Sequence, residues 1–130
     1  MAEQNETLSG KWYCQLWYPS MDDQGQDTTK NVMEGYQRGN QLVLQSKANE
    51  EGSYTFVRLT IDDDIATGLW YESTSPDGNF EGALYSGSGQ LIISEDRQSM
   101  DGMWAGAGVE RASGKKHIYT GEWKLSRSEV

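Results

Sequence analysis

Apolar and polar residues alternate with a period of two along most of this chain, the spacing of a strand with one face in a core. Over 9–18, Trp12, Cys14, Leu16 and Tyr18 share one face, and Tyr13, Gln15 and Trp17 the other. Pro19 ends that strand, and 20–29 reads as a polar, acidic loop. A second strand is predicted over about 31–37, with Val32, Glu34 and Tyr36 on one face. Arg38-Gly39-Asn40 supplies hairpin turn chemistry, and 41–47 returns. After a turn at Glu50-Glu51-Gly52, 53–61 is the richest run of β-formers, closed by Asp62-Asp63-Asp64 and followed by a strand over 65–74. Ser75-Pro76-Asp77-Gly78-Asn79 is a turn. Beyond it, 80–86 and 90–94 are predicted as two strands around a Gly87-Ser88-Gly89 turn. A turn over 95–99, a strand over 100–109, a loop over 111–116 and a strand over 117–125 complete about nine strands, with no helix-period stripe.

Four of the five tryptophans stand two residues after a glycine: Trp12, Trp70, Trp104 and Trp123. Each pair lies on one face of its strand, so a missing side chain beside the largest one lets a bent sheet close over the indole. Trp70, Trp104 and Trp123 are therefore expected to be largely buried. Many short strands and alternating large and small inward residues predict an all-β fold, a single calycin-like antiparallel up-and-down β-barrel of about 8–10 strands. The barrel domain is expected over 8–127, with 1–7 as a disordered polar tail.

Length fits one domain with one core, since the chain has 130 residues. A net charge of −9 opposes binding to phosphate backbones or anionic lipid through a charged face. Cys14 is the only cysteine, which excludes an internal disulfide. The start lacks a basic region followed by an apolar run, and no segment has the roughly 20 apolar residues of a membrane helix, so a cytoplasmic protein with no membrane contact is expected.

Candidate chemistry is sparse. Three consecutive aspartates cannot converge on calcium as spaced ligands do, so Asp62-Asp63-Asp64 reads as a hairpin tip and no metal site is expected. His117 opens the last strand, where it is either a strand-end residue or the proximal ligand of a haem. Ser88 lies in a Gly-Ser-Gly run without the rest of a nucleophile elbow. Glu72 and Glu81 flank one turn and could form a paired acid and base, or simply face solvent. The aromatic surplus is the strongest signal. It reads either as core packing or as a stacking pocket for a flat ligand, built from Trp70, Trp104 and Trp123 with Arg58, Glu72, Tyr85 and Gln90 as polar contacts. In that pocket Glu72 and Tyr85 orient the ligand, and Arg58 would hold an anionic group by bidentate bonding.

The run Thr67-Gly68-Leu69-Trp70-Tyr71-Glu72-Ser73-Thr74-Ser75-Pro76-Asp77-Gly78, then Phe80, Gly82, Ala83, Tyr85, Gln90 and Leu91, resembles the carboxy-terminal domain of certain bacterial helix-turn-helix regulators. Leu8-Ser9-Gly10-Lys11-Trp12, Met100 to Gly106 and Thr120 to Leu125 continue the likeness across nearly the whole chain. That resemblance implies a ligand-sensing β module of a bacterial protein. The helix-turn-helix itself is missing, so direct DNA binding does not carry over. The layout is more loosely similar to the barrel sensor of phage-defence effectors that bind cyclic dinucleotides, which implies a nucleotide-like ligand and a place in phage defence or its regulation. Lipocalins and avidins share the barrel idea and an early Gly-x-Trp, at the level of architecture.

Together these readings predict a small-molecule-binding barrel, a sensor or sequestering module without a cofactor or chemistry of its own. The alternative from another class is an adaptor that binds a protein partner or a second copy through Tyr13, Trp17 and the acidic loop. A further alternative is a small barrel enzyme or haem protein using His117.

Overall fold

A computed structural model describes residues 7–19, 26–47, 54–73, 84–109 and 113–128. Within them the chain forms eight antiparallel strands: β1 (Gly10–Pro19), β2 (Gln26–Arg38), β3 (Gln41–Ser46), β4 (Tyr54–Asp62), β5 (Ile65–Ser73), β6 (Leu84–Ile93), β7 (Ser99–Val109) and β8 (Lys116–Ser126). Each pairs with its neighbours in sequence, and β1 pairs with β8 to close the barrel. Closure pairs what would otherwise be the two edge strands, Tyr13 to Leu16 with Trp123 to Ser126.

Eight strands fall within the expected 8–10, and the two expected on either side of Gly87-Ser88-Gly89 are one, because β6 runs straight through these residues. These glycines do not make a turn. Both face inward, where a Cβ on Gly87 would stand 2.6 Å from Cζ2 of Trp70 and one on Gly89 2.6 Å from Cζ3 of Trp123. Strand β2 likewise starts at Gln26, inside the stretch expected to be a loop, with Thr28 and Thr29 paired to Trp17 and Leu16. The hairpin tips at Gly39-Asn40 and Asp63-Asp64 are as the sequence predicts, with Gly39 and Asp63 at φ 60° and 59°. The expected turns at Glu50-Glu51-Gly52 and Ser75 to Asn79 lie outside the described residues, as does Glu81.

One half of the barrel is solidly packed. Leu42, Leu44, Leu59, Leu91, Met100 and Leu125 are buried there around Trp12 and Trp123. Its end carries the described hairpins together with Leu8 and Arg127, next to the two ends of the described chain. Leu8 is buried beneath Trp12, whose Nε1–H donates to the Leu8 carbonyl at 2.8 Å. Arg127 closes this end: its guanidinium lies 4.3 Å from the Trp12 ring centroid and donates at 2.7 Å to the carbonyls of both Ser9 and Thr7. A planar fork can make two such bonds while stacking, and an ammonium cannot. Arg127→Ala is therefore expected to cost about 1.5–3 kcal/mol in chemical denaturation, with Arg127→Lys recovering only part of it. Full recovery by lysine would show that charge alone matters at that end.

The Gly-x-Trp pairs work differently from the expectation. The glycines beneath the indoles come from other strands, one or two places along the sheet: Gly87 and Gly106 under Trp70, Gly121 under Trp104, and Gly89 under Trp123. At Gly68 and Gly102 a Cβ would instead land on the carbonyls of Arg58 and Gln90, so these glycines let the adjacent strand fold inward. Burial also differs from the expectation. Trp123 is 1% and Trp104 9% exposed, but Trp70 is only half-buried, because it sits where the packing stops.

Candidate functional site: the mouth of the barrel

At the other end, where β1, β3, β5 and β7 finish, the inward positions change from fully apolar to mixed, and most are half-buried. Two sectors face each other. From β2 to β5 the inward residues are polar: Asn31, Ser46, Thr55 and Glu72. From β5 round to β1 they are aromatic: Trp70, Tyr85, Trp104, Tyr119 and Tyr18.

The polar sector is held by its own bonds. Ser46 Oγ accepts the Thr55 backbone N–H at 2.7 Å where the β3–β4 ladder ends, and Asn31 Nδ2 donates to Thr55 Oγ1 at 3.5 Å. Glu72 stands in register between Thr55 and Tyr85. Burial raises its pKa above the usual carboxylate range, with no cation among the described residues to offset it. The Tyr85 phenol is also raised, by burial first and then by the Glu72 charge. A raised carboxyl favours its protonated form in the folded state. Its stabilising contribution is then complete below the ordinary glutamate pKa and is lost as pH rises through the folded value. Glu72→Gln should accordingly raise the melting temperature at neutral pH, and that gain should vanish in mild acid. A gain independent of pH would contradict the buried-carboxylate assignment.

In the aromatic sector, Trp70 meets Trp104 edge to face with centroids 5.7 Å apart, and its Nε1–H donates to the Ser88 carbonyl at 3.1 Å. Trp104 Nε1–H donates to the Trp17 carbonyl at 2.8 Å, across the β1–β8 seam. Both indoles are fixed by backbone bonds, a preorganised floor and wall for a flat ring.

Of the residues expected to bind ligand, Trp70, Glu72, Tyr85 and Trp104 stand at inward positions of this end, the cup, with Trp70 against Trp104 and Glu72 in register with Tyr85. Arg58 does not. Strand parity turns it outward and exposed between Val43 and Leu69, so it cannot anchor an anionic group inside. Gln90 is also outside, bonded to Thr67 at 3.0 Å. Trp123 is sealed in the packed half, its Nε1–H on Cys14 Sγ at 3.3 Å, and fills the core without reaching the cup. Burial pushes the Cys14 thiol up to about 12, opposed by that bond, which leaves it protonated and inert. His117 is exposed with its ring 4.9 Å from that of Tyr119. No cluster of metal-ligating side chains occurs among the described residues. Sequence reading missed Asn31, Ser46, Thr55, Tyr18 and Tyr119. Tyr18 shares a face with Trp12 and was legible by parity, whereas the three polar residues needed the cross-strand register.

The outer wall carries a second feature. Ser86, Ser88, Ala105 and Ala107 floor a shallow open groove of about 360 Å³, between ridges made by Leu69 and Tyr71 on one side and Ile118 on the other. Leu69 is 48% and Ile118 63% exposed.

No family model, no curated protein and no solved structure matches this chain, so the geometry of the barrel carries the functional reading.

Proposed function

We propose that the protein binds a small flat molecule in the mouth of its barrel and serves as a sensor or sequestering module, without chemistry of its own. The observation that carries this reading is the division of the interior: one end is filled with leucine, methionine and tryptophan, while the other keeps half-buried aromatic and polar groups facing each other. Half-buried Trp70 and Tyr85 offer stacking area, and Asn31, Thr55 and Glu72 offer directional bonds. The resemblance to sensor domains of bacterial regulators agrees with such a role, in phage defence or elsewhere. Native mass spectrometry of the protein purified from its own host tests it. A retained small molecule, lost in Trp70→Ala, is the expected result; a bare chain that also ignores flat aromatic compounds in solution would overturn it.

The outer groove favours a second reading, a protein-docking wall. Its apolar residues lie on β5–β8 rather than at Tyr13 and Trp17, both of which are half-buried. Leu69→Glu with Ile118→Glu should then abolish any association seen by sedimentation without altering ligand retention.

A further inference from the structure

We propose that the cup selects an organic cation: a flat aromatic or heteroaromatic molecule bearing an amine, amidine or similar positively charged donor, which pairs with Glu72 while its ring lies against Trp70. This rests on the mouth being the ligand site, and adds the charge of the ligand to it.

Two observations point the same way. At the mouth no inward strand position carries lysine or arginine, and among those whose side chains are described Glu72 is the one carboxylate. The strand cations Lys11, Lys30, Arg38, Arg58, Lys116 and Lys124 are all exposed on the outer wall. A phosphate or carboxylate entering the cup would meet no lysine or arginine at the inward strand positions and would be repelled by Glu72. Second, Glu72 is half-buried with no cation among the described residues to neutralise it, an arrangement that a ligand cation relieves. The aromatic sector adds ring faces that attract cations and reject anions.

Three probes of one shape separate the ligand's charge from its ring: 2-naphthylmethylamine, 2-naphthalenemethanol and 2-naphthoate, each titrated into the protein at neutral pH and followed by amide and indole NMR shifts. The amine should bind roughly tenfold tighter than the alcohol, as expected for one charge-assisted bond, and the naphthoate weakest of all. Glu72→Gln should bring the amine down to the alcohol's affinity. Glu34→Gln, which removes the same charge from the exposed outer face of β2, should leave the preference in place. Equal affinities for the three probes, an anion preference, or a preference that survives Glu72→Gln would overturn the inference while leaving the cup as a ligand site. Failure of every probe, the neutral alcohol included, to shift cup residues would remove the site itself and the inference with it.

Discussion

Truncating Trp123 to alanine is expected to cost about 3–5 kcal/mol of unfolding free energy, enough to leave a domain of this size barely folded. The indole is 1% exposed and spans the packed half of the barrel, from Cys14 on β1 to Gly89 on β6. Neither wall can collapse into the space it leaves, because both belong to one closed sheet. Trp70→Ala removes the same atoms from a half-buried position at the mouth and should cost clearly less. Chemical denaturation of the two variants side by side checks this. Equal midpoints would mean that the interior is uniformly packed and that the mouth is not a cup.

Gly121→Val carries the second large effect, about 3 kcal/mol or slightly more. A Cβ there would land on the Trp17 carbonyl and stand 2.7 Å from Nε1 of Trp104. These two groups are bonded to each other at 2.8 Å. Register explains the site: β1 pairs with β8 only from Tyr13 to Leu16, so the next carbonyl, that of Trp17, has no partner on β8 and accepts from the indole through the gap that glycine leaves. Valine would break the seam that closes the barrel and release Trp104 as well. Gly39→Ala is the control, since its Cβ meets nothing within 4 Å and only its φ of 60° is strained. A thermal melt of Gly121→Val matching that of Gly39→Ala would sink the seam argument.

Period-two alternation made the barrel legible because each strand buries one face and a one-residue slip would expose it. The hairpin tips at Gly39-Asn40 and Asp63-Asp64 were legible for the same local reason, backbone demands that few residues meet. Gly87-Ser88-Gly89 misled, because glycine marks both a turn and a space left for a neighbour's side chain, and only the register with Trp70 and Trp123 decides between them. Arg58 misled for a related reason. Its isolation in an apolar strand suggested a pocket, yet parity with the buried Val57 and Leu59 turns it to solvent. Arg127 went unnoticed because its partners, Trp12 and the carbonyls of Thr7 and Ser9, lie at the far end of the chain. At the site, Trp70, Glu72 and Tyr85 were legible as one sequence cluster. The facing Asn31, Ser46 and Thr55 come from three other strands and emerge only when the sheet closes.

The indole N–H signals test the divided interior most directly. The chain has five tryptophans, and they sample the mouth, the packed half and the outer wall separately. Titrating a flat aromatic compound into labelled protein should move the Nε1–H resonances of Trp70 and Trp104 and leave those of Trp12 and Trp123 in place. Shifts confined to Trp17 and to Leu69 and Ile118 on the outer wall, or no shift at any concentration the compound allows, would contradict a ligand cup at the mouth of the barrel.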